Sequence, residues 1–212
     1  MAMATAVLLQ LLVATCTAVV ATNEESTTSH HTPALSPPSP AAASFLRSSC
    51  AAVDLWDACY RILLPYAGSF HGSIARVARA ATAIAAARRH GFADELARLK
   101  LRAPRAGRMA NMTLASCAET VAGSDMDANT TLGYLDNLVA GVRSKRAFEW
   151  EHSLAMNWLG SAFTGMWQCT DWIYGAGEGV AALPAMKEVI AGCTTVSPYM
   201  HIALDLTYAV KF

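Results

Sequence analysis

The chain has 212 residues, 54% of them hydrophobic, with 16 basic and 16 acidic side chains and a formal net charge of zero. That length suits one folded domain, and the charge balance argues against a dedicated nucleic-acid binder, which needs a basic excess to meet phosphates. Six cysteines make the redox compartment the next question.

Residues Met1 to Val20 carry no charged side chain and hold an apolar run from Ala6 to Ala14. Val19-Val20-Ala21 fits the small-residue pattern of a cleavage site, so residues 1–21 read as a secretory signal peptide. The competing reading is a membrane anchor. Thr15, Cys16 and Thr17 interrupt the run and leave it short of the ~20 residues a span needs. Residues 22–43 are Ser, Thr, Pro and Ala for the most part, with Pro33, Pro37, Pro38 and Pro40. Such a composition buries little apolar area and predicts a disordered linker. His30-His31, in that stretch, read as a solvated pair rather than metal ligands.

The folded domain is expected over residues 44–212. Alanine is abundant and strand-like alternation is absent, which predicts an all-helical fold. Arg47 to Leu64 reads as two short helical pieces around Val53-Asp54. Ser73 to Arg102 reads as a long helix with an apolar stripe of Val77, Ala80, Ile84 and Ala87, and with Gly91 as a candidate kink. Pro104 and Gly107 then break the chain. Nine of the sixteen Lys and Arg lie between Arg76 and Arg108, against Asp94 and Glu95 alone. They form either a solvated helix face with Arg stems over Ala, or a docking patch for an anionic partner.

A second segment runs from Met109 to about Gly141, interrupted near Gly123-Ser124 and resuming with Leu132, Leu135, Leu138 and Val139. The third, Glu149 to Tyr174, places Ala155, Leu159, Ala162, Met166, Cys169 and Ile173 in alternating steps of four and three, the seam of a bundle helix. Gly175-Ala-Gly177-Glu-Gly179 reads as a flexible connection; no strand precedes it, so it is no phosphate loop. The fourth segment opens at Pro184 and runs through Met186, Val189, Ile190, Cys193 and Val196. Pro198 is expected to kink it before Met200, Ala203, Leu204 and Thr207 resume the stripe. Four long segments with short breaks predict an antiparallel up-down-up-down four-helix bundle behind a short helical hairpin.

Cys16 leaves with the leader, and five cysteines remain. An odd count suggests two bridges and one free thiol. Cys50 and Cys59 could staple the two short pieces. Cys117 and Cys169, on the second and third helices, could bridge neighbours, restricting the unfolded chain by about 4 kcal/mol, against about 2–3 kcal/mol for the shorter loop. Cys193 falls on the last apolar stripe and reads as an inert buried thiol. Bridges of this kind persist in oxidising compartments, in keeping with export.

Catalytic patterns are missing. There is no His-Glu-x-x-His, no Gly-x-Ser-x-Gly and no Cys-x-x-Cys. Glu151-His152 lacks a third ligand and reads as a surface pair at a helix start. The chain is therefore expected not to be an enzyme, and to use no cofactor and no metal. Asn111-Met-Thr113 and Asn129-Thr-Thr131 are N-glycosylation sequons. Trp167 and Trp172 lie off the third-helix seam, placed either as aromatic anchors for a partner or as core.

Taken together, the leader, the Cys50/Cys59 spacing, the helical Cys117 and Cys169, the lone Cys193 and the run Trp158-Leu-Gly-Ser-Ala-Phe-Thr164 resemble the plant invertase and pectin methylesterase inhibitor family. The run is similar to the family's W-L-S-A-A-L-T stretch. The resemblance covers most of Ser44 to Lys211. It implies a hairpin plus four-helix bundle, the pairings Cys50–Cys59 and Cys117–Cys169, and a function. That function is one-to-one binding of a carbohydrate-active enzyme of the cell wall or vacuole, covering its active-site cleft, with Trp158 and Thr164 of the shared run joining Trp167 and Trp172 as candidate contacts. Invertase inhibitors tend to carry Pro-Lys-Phe before the third helix; here Ser144-Lys-Arg-Ala-Phe148 has no proline, so pectin methylesterase is the expected target and acid invertase the alternative. The expected location is the apoplast, with no nucleic-acid or membrane partner after leader cleavage.

The chain departs from the family in several places. The Cys50–Cys59 segment lacks the usual Thr and Pro, and Gly160 replaces a Ser. The Cys117–Cys169 span is longer than usual, with the extra length expected as a loop near Ala122 to Thr131. A rival of another class is a secreted carrier holding an apolar ligand inside the bundle. A third is a structural cell-wall protein, for which the Pro-Ser stretch is short and lacks repeats.

Overall fold

Ser39 leads the chain into its first helix: its hydroxyl accepts the Ala42 N–H at 3.2 Å, and Pro40 occupies the first turn. The computed structural model describes residues 37–102, 107–123 and 125–212; the expected leader and residues 22–36 lie outside them. Helix α1 spans Pro40–Cys50. It begins four residues inside the stretch expected to be linker, because a Ser cap, a first-turn Pro and three alanines favour helix over coil.

Helix α2 (Trp56–Leu63) and a 3-10 turn (Leu64–Ser69) complete the hairpin. Then follow α3 (Ile74–Arg102), α4 (Arg108–Ala122), α5 (Asp125–Ala140), α6 (Lys145–Gly175), α7 (Glu178–Ala181) and α8 (Pro184–Tyr208). Every regular element among the described residues is helical. Both α3 and α6 pack on α8, α5 and α4, which gives the four walls of a bundle. Helices α4 and α5 together make one wall, divided near Gly123. The length expected as a loop from Ala122 to Thr131 is mostly the first turns of α5 instead. The glycine-rich connection contains the one-turn helix α7, entered through Gly177 at φ 100°.

The seam expected on α6 is the buried face: Ala155, Leu159, Ala162, Met166, Cys169 and Ile173 are all at most 1% exposed. The stripe expected on α3 holds at Val77, which is buried, is only half-buried at Ala80 and Ile84, and drifts off the core by Ala87. Ala87 is exposed, while Ala78, Ala81, Ala85, Phe92, Leu96 and Leu99 face the core. So many alanines surround α3 that hydrophobic contrast fixes its rotation only in part. Gly91 does not end α3, and α8 runs through Pro198 as one helix.

Helix α3 also carries Arg89 into the interior at 1% exposure. Its Nη2 donates to the Thr120 carbonyl at 3.0 Å, and its guanidinium lies 5.9 Å from the Trp158 ring centroid. A cation near the last carbonyls of α4 meets the negative end of that helix.

Cys50 is bonded to Cys59, with Cα atoms 5.7 Å apart, and Cys117 to Cys169, with Cα atoms 5.0 Å apart. The first bridge closes the hairpin, whose Leu46, Val53, Leu63 and Phe70 are buried in the common core. The second ties α4 to α6. Cys193 is unbridged and buried, and its burial pushes the thiol pKa up to about 12.

Candidate functional site

Asn157, Ser161, Thr164 and Gln168 follow one another on α6 in steps of four, three and four, which puts four uncharged polar side chains on one face. Together with Met156 and Gly160 they line a shallow cleft of about 420 Å³. Asn157 and Ser161 also border a second cleft of about 300 Å³, whose other wall is Thr130, Thr131 and Tyr134 of α5. The two clefts share Asn157 and Ser161 and are together called the α5–α6 groove; no charged side chain lines either.

The turn that creates the junction is built from local rules. Gly141, at φ 87°, ends α5 and donates its N–H to the carbonyls of Asn137 at 3.1 Å and Leu138 at 3.3 Å. Three residues later Ser144 caps α6, its hydroxyl accepting the Ala147 N–H at 3.2 Å. Beneath α6, the Cys117–Cys169 bridge fixes the helix to α4.

The sequence-expected contact residues do not form one patch. Thr164 is exposed within the groove. Trp158 is 7% exposed and lines the cleft beside α5. Three residues after Ala155 and four before Ala162, it belongs to the flank of the seam and packs against the core. Trp167 and Trp172 are 56% and 40% exposed, but point about 140° apart around the helix axis. Trp167 leans edge-on against Phe163, centroids 6.2 Å apart, beside a separate cleft of about 280 Å³ between the hairpin, α6 and α8.

Asn157, Ser161, Gln168, Thr130 and Tyr134 were not singled out by sequence reasoning. The four-three-four polar spacing around Thr164 was there to be read; the α5 wall needed the turn at Gly141.

Much of the basic run is engaged within the chain. Arg79 forms a forked hydrogen-bonded pair with Asp136 of α5, which holds its guanidinium pKa above the ordinary value. Arg98 and Arg102 both reach Glu95, whose carboxyl is held below its usual range chiefly by the Arg98 hydrogen bond. Arg102 also lies 3.5 Å from Glu188 of α8. Arg88 stacks on Tyr199 at 5.2 Å. For Arg79, Arg88, Arg98 and Arg102 these contacts support the reading as a solvated helix face over that of a docking patch for an anion. His152, expected at the surface, is partly buried and bonds through Nε2 to the Thr207 carbonyl at 2.8 Å, joining α6 to α8.

Both sequons lie in helices. Asn111 is partly buried on α4, and Asn129 is exposed on α5. Their threonines, Thr113 and Thr131, are 7% and 1% exposed.

No helix among the described residues is long and apolar enough to cross a membrane. No curated protein and no solved structure matches the chain. A family model described as plant invertase/pectin methylesterase inhibitor matches residues 44–206, most of the chain, which therefore belongs to that family of proteinaceous inhibitors.

Proposed function

From this membership we propose that the chain is a secreted inhibitor of a cell-wall pectin methylesterase, docking one to one with its α5–α6 groove over the enzyme's active-site cleft. One observation carries the reading: an uncharged polar groove, with room at Gly160, on a helix cross-linked to the bundle beneath it. A surface held this rigidly loses little entropy on docking. Thr164 is the central contact in this reading and Trp172 a flanking one, while Trp167 serves a different face.

Pectin methylesterase is favoured over acid invertase by the Trp158 to Thr164 run and by residues 144–148, where a capped helix start takes the place of a proline-containing loop. The carrier alternative is weaker. The apolar cleft beside Trp167, at about 280 Å³, falls below the roughly 300–1,000 Å³ of ordinary ligand pockets. Export through the residue 1–21 leader and a glycan on exposed Asn129 belong to the same proposal.

The test is co-incubation of the purified chain with pectin methylesterase and, separately, with acid invertase. Loss of pectin de-esterification is the expected result. A Thr164→Arg variant should weaken it at least tenfold, whereas Trp167→Ala should leave it nearly intact. Inhibition of invertase alone would move the chain to the other branch. Full activity of both enzymes at excess chain would overturn the proposal.

A further inference from the structure

The junction between the hairpin and α8 holds three side chains of metal-ligating type that lie outside the α5–α6 groove. His201 and Asp205 stand one turn apart on α8, and Asp54 comes from the turn between α1 and α2. The His201 Nε2 lies 3.5 Å from Asp205 Oδ2 and 3.7 Å from Asp54 Oδ2. One donor atom from each lies within 4.8 Å of the others. Donors bound at ~2.1 Å around a tetrahedral ion stand ~3.4 Å from one another. The gap between these atoms is therefore close to the size of a bound cation.

The donors are held from several sides. The Asp54 backbone N–H donates to Asp205 Oδ2 at 3.4 Å, bringing the hairpin turn onto α8. The Cys50–Cys59 bridge closes the loop that contains Asp54. Phe163 of α6 packs against the His201 ring, centroids 5.3 Å apart. His201 and Asp205 are only 30% and 24% exposed, whereas Asp54 is 85% exposed, which leaves a solvent-side path for an ion. Among the described residues, the ion-pair partner of both carboxylates is His201. When its imidazole is neutral, as a ligand must be, two negative charges converge on one point.

We propose that Asp54, His201 and Asp205 form a binding site for a first-row divalent cation, Zn2+ in type, that fastens the hairpin to α8. One nitrogen and two carboxylate oxygens suit Zn2+ better than Mg2+ or Ca2+, which take oxygen shells. Water completes the coordination. The site uses the hairpin and α8 and is independent of the α5–α6 groove.

The experiment uses the full chain, freed of metal with a chelator, in a His30→Ala/His31→Ala background that removes the paired histidines near the start. ZnCl2 is titrated while the Tm is followed, with MgCl2 in parallel and Co2+ absorption as a probe of coordination. Binding of one equivalent of Zn2+ should raise the Tm by roughly 5–10 °C at a hundredfold excess over Kd, with no response to Mg2+. Asp54→Asn, at an exposed position that the core does not need, should weaken binding roughly tenfold or more, as should His201→Gln. No Zn2+ response in the parent, or the same response in Asp54→Asn and His201→Gln, would overturn the site.

Discussion

At the scale of single residues, the tightest constraint lies where α3 meets α8. A Cβ added to Gly192 would come 2.0–2.7 Å from three carbons of the Phe92 ring, which is itself only 6% exposed and cannot swing into solvent. Gly192→Ala is therefore expected to destabilise the chain by about 1–3 kcal/mol through overpacking, read as a lower urea midpoint with an unchanged slope. The neighbouring Cys193 gives a chemical readout. The thiolate is the reactive form, and burial holds the native thiol protonated up to about 12, against an ordinary 9.0. Iodoacetamide at pH 8 should leave the native chain unmodified at Cys193 and label it once urea unfolds the bundle, as mass spectrometry would show. The linkage has a definite sign. Above pH 9 the unfolded thiol gives up its proton while the folded one keeps it, so this group costs stability progressively as pH rises from 9 toward 12.

At the scale of elements, the bridge between α4 and α6 closes a separation of 52 residues. Replacing Cys117 and Cys169 together by Ser should remove about 4 kcal/mol, while the same change at Cys50 and Cys59 should remove only about 2–3 kcal/mol. Chemical denaturation of the two variants would check both the loss and its order. The elements also differed in how legible they were. The seam of α6 could be read to the residue because Leu, Met and Ile on it contrast with Asn, Ser, Gln and Glu elsewhere, although the helix starts four residues earlier than expected, at Lys145. Helix α3 could be read as a helix but only partly oriented: Val77 faces the core as expected, while alanine on every side blurs the stripe beyond it and hides a buried arginine among exposed ones. Pro198 lacks a backbone donor, which is the ground for expecting a kink; α8 continues across it as one element, packed against α3 and α6.

At the scale of the molecule, four long segments and short breaks were sufficient to foresee a bundle. They could not place the groove, because its walls meet only after Gly141 folds α5 back beside α6. Nor could they foresee the acid–histidine cluster, whose Asp54 and Asp205 lie 151 positions apart in the chain. The clustered arginines left two readings open in the sequence for the opposite reason. Two of the partners, Asp136 and Glu188, stand on other helices, so local charge counting missed part of what offsets the run.

The inward-facing Thr131 has a consequence for the history of each copy. A glycosyl transferase must engage that hydroxyl, and helix formation hides it. In the proposed export route, sugar on Asn129 would therefore be added while this stretch is still extended. The proposal then makes any glycosylated fraction a clock of maturation, marking the copies in which α5 wound up too late to escape the enzyme.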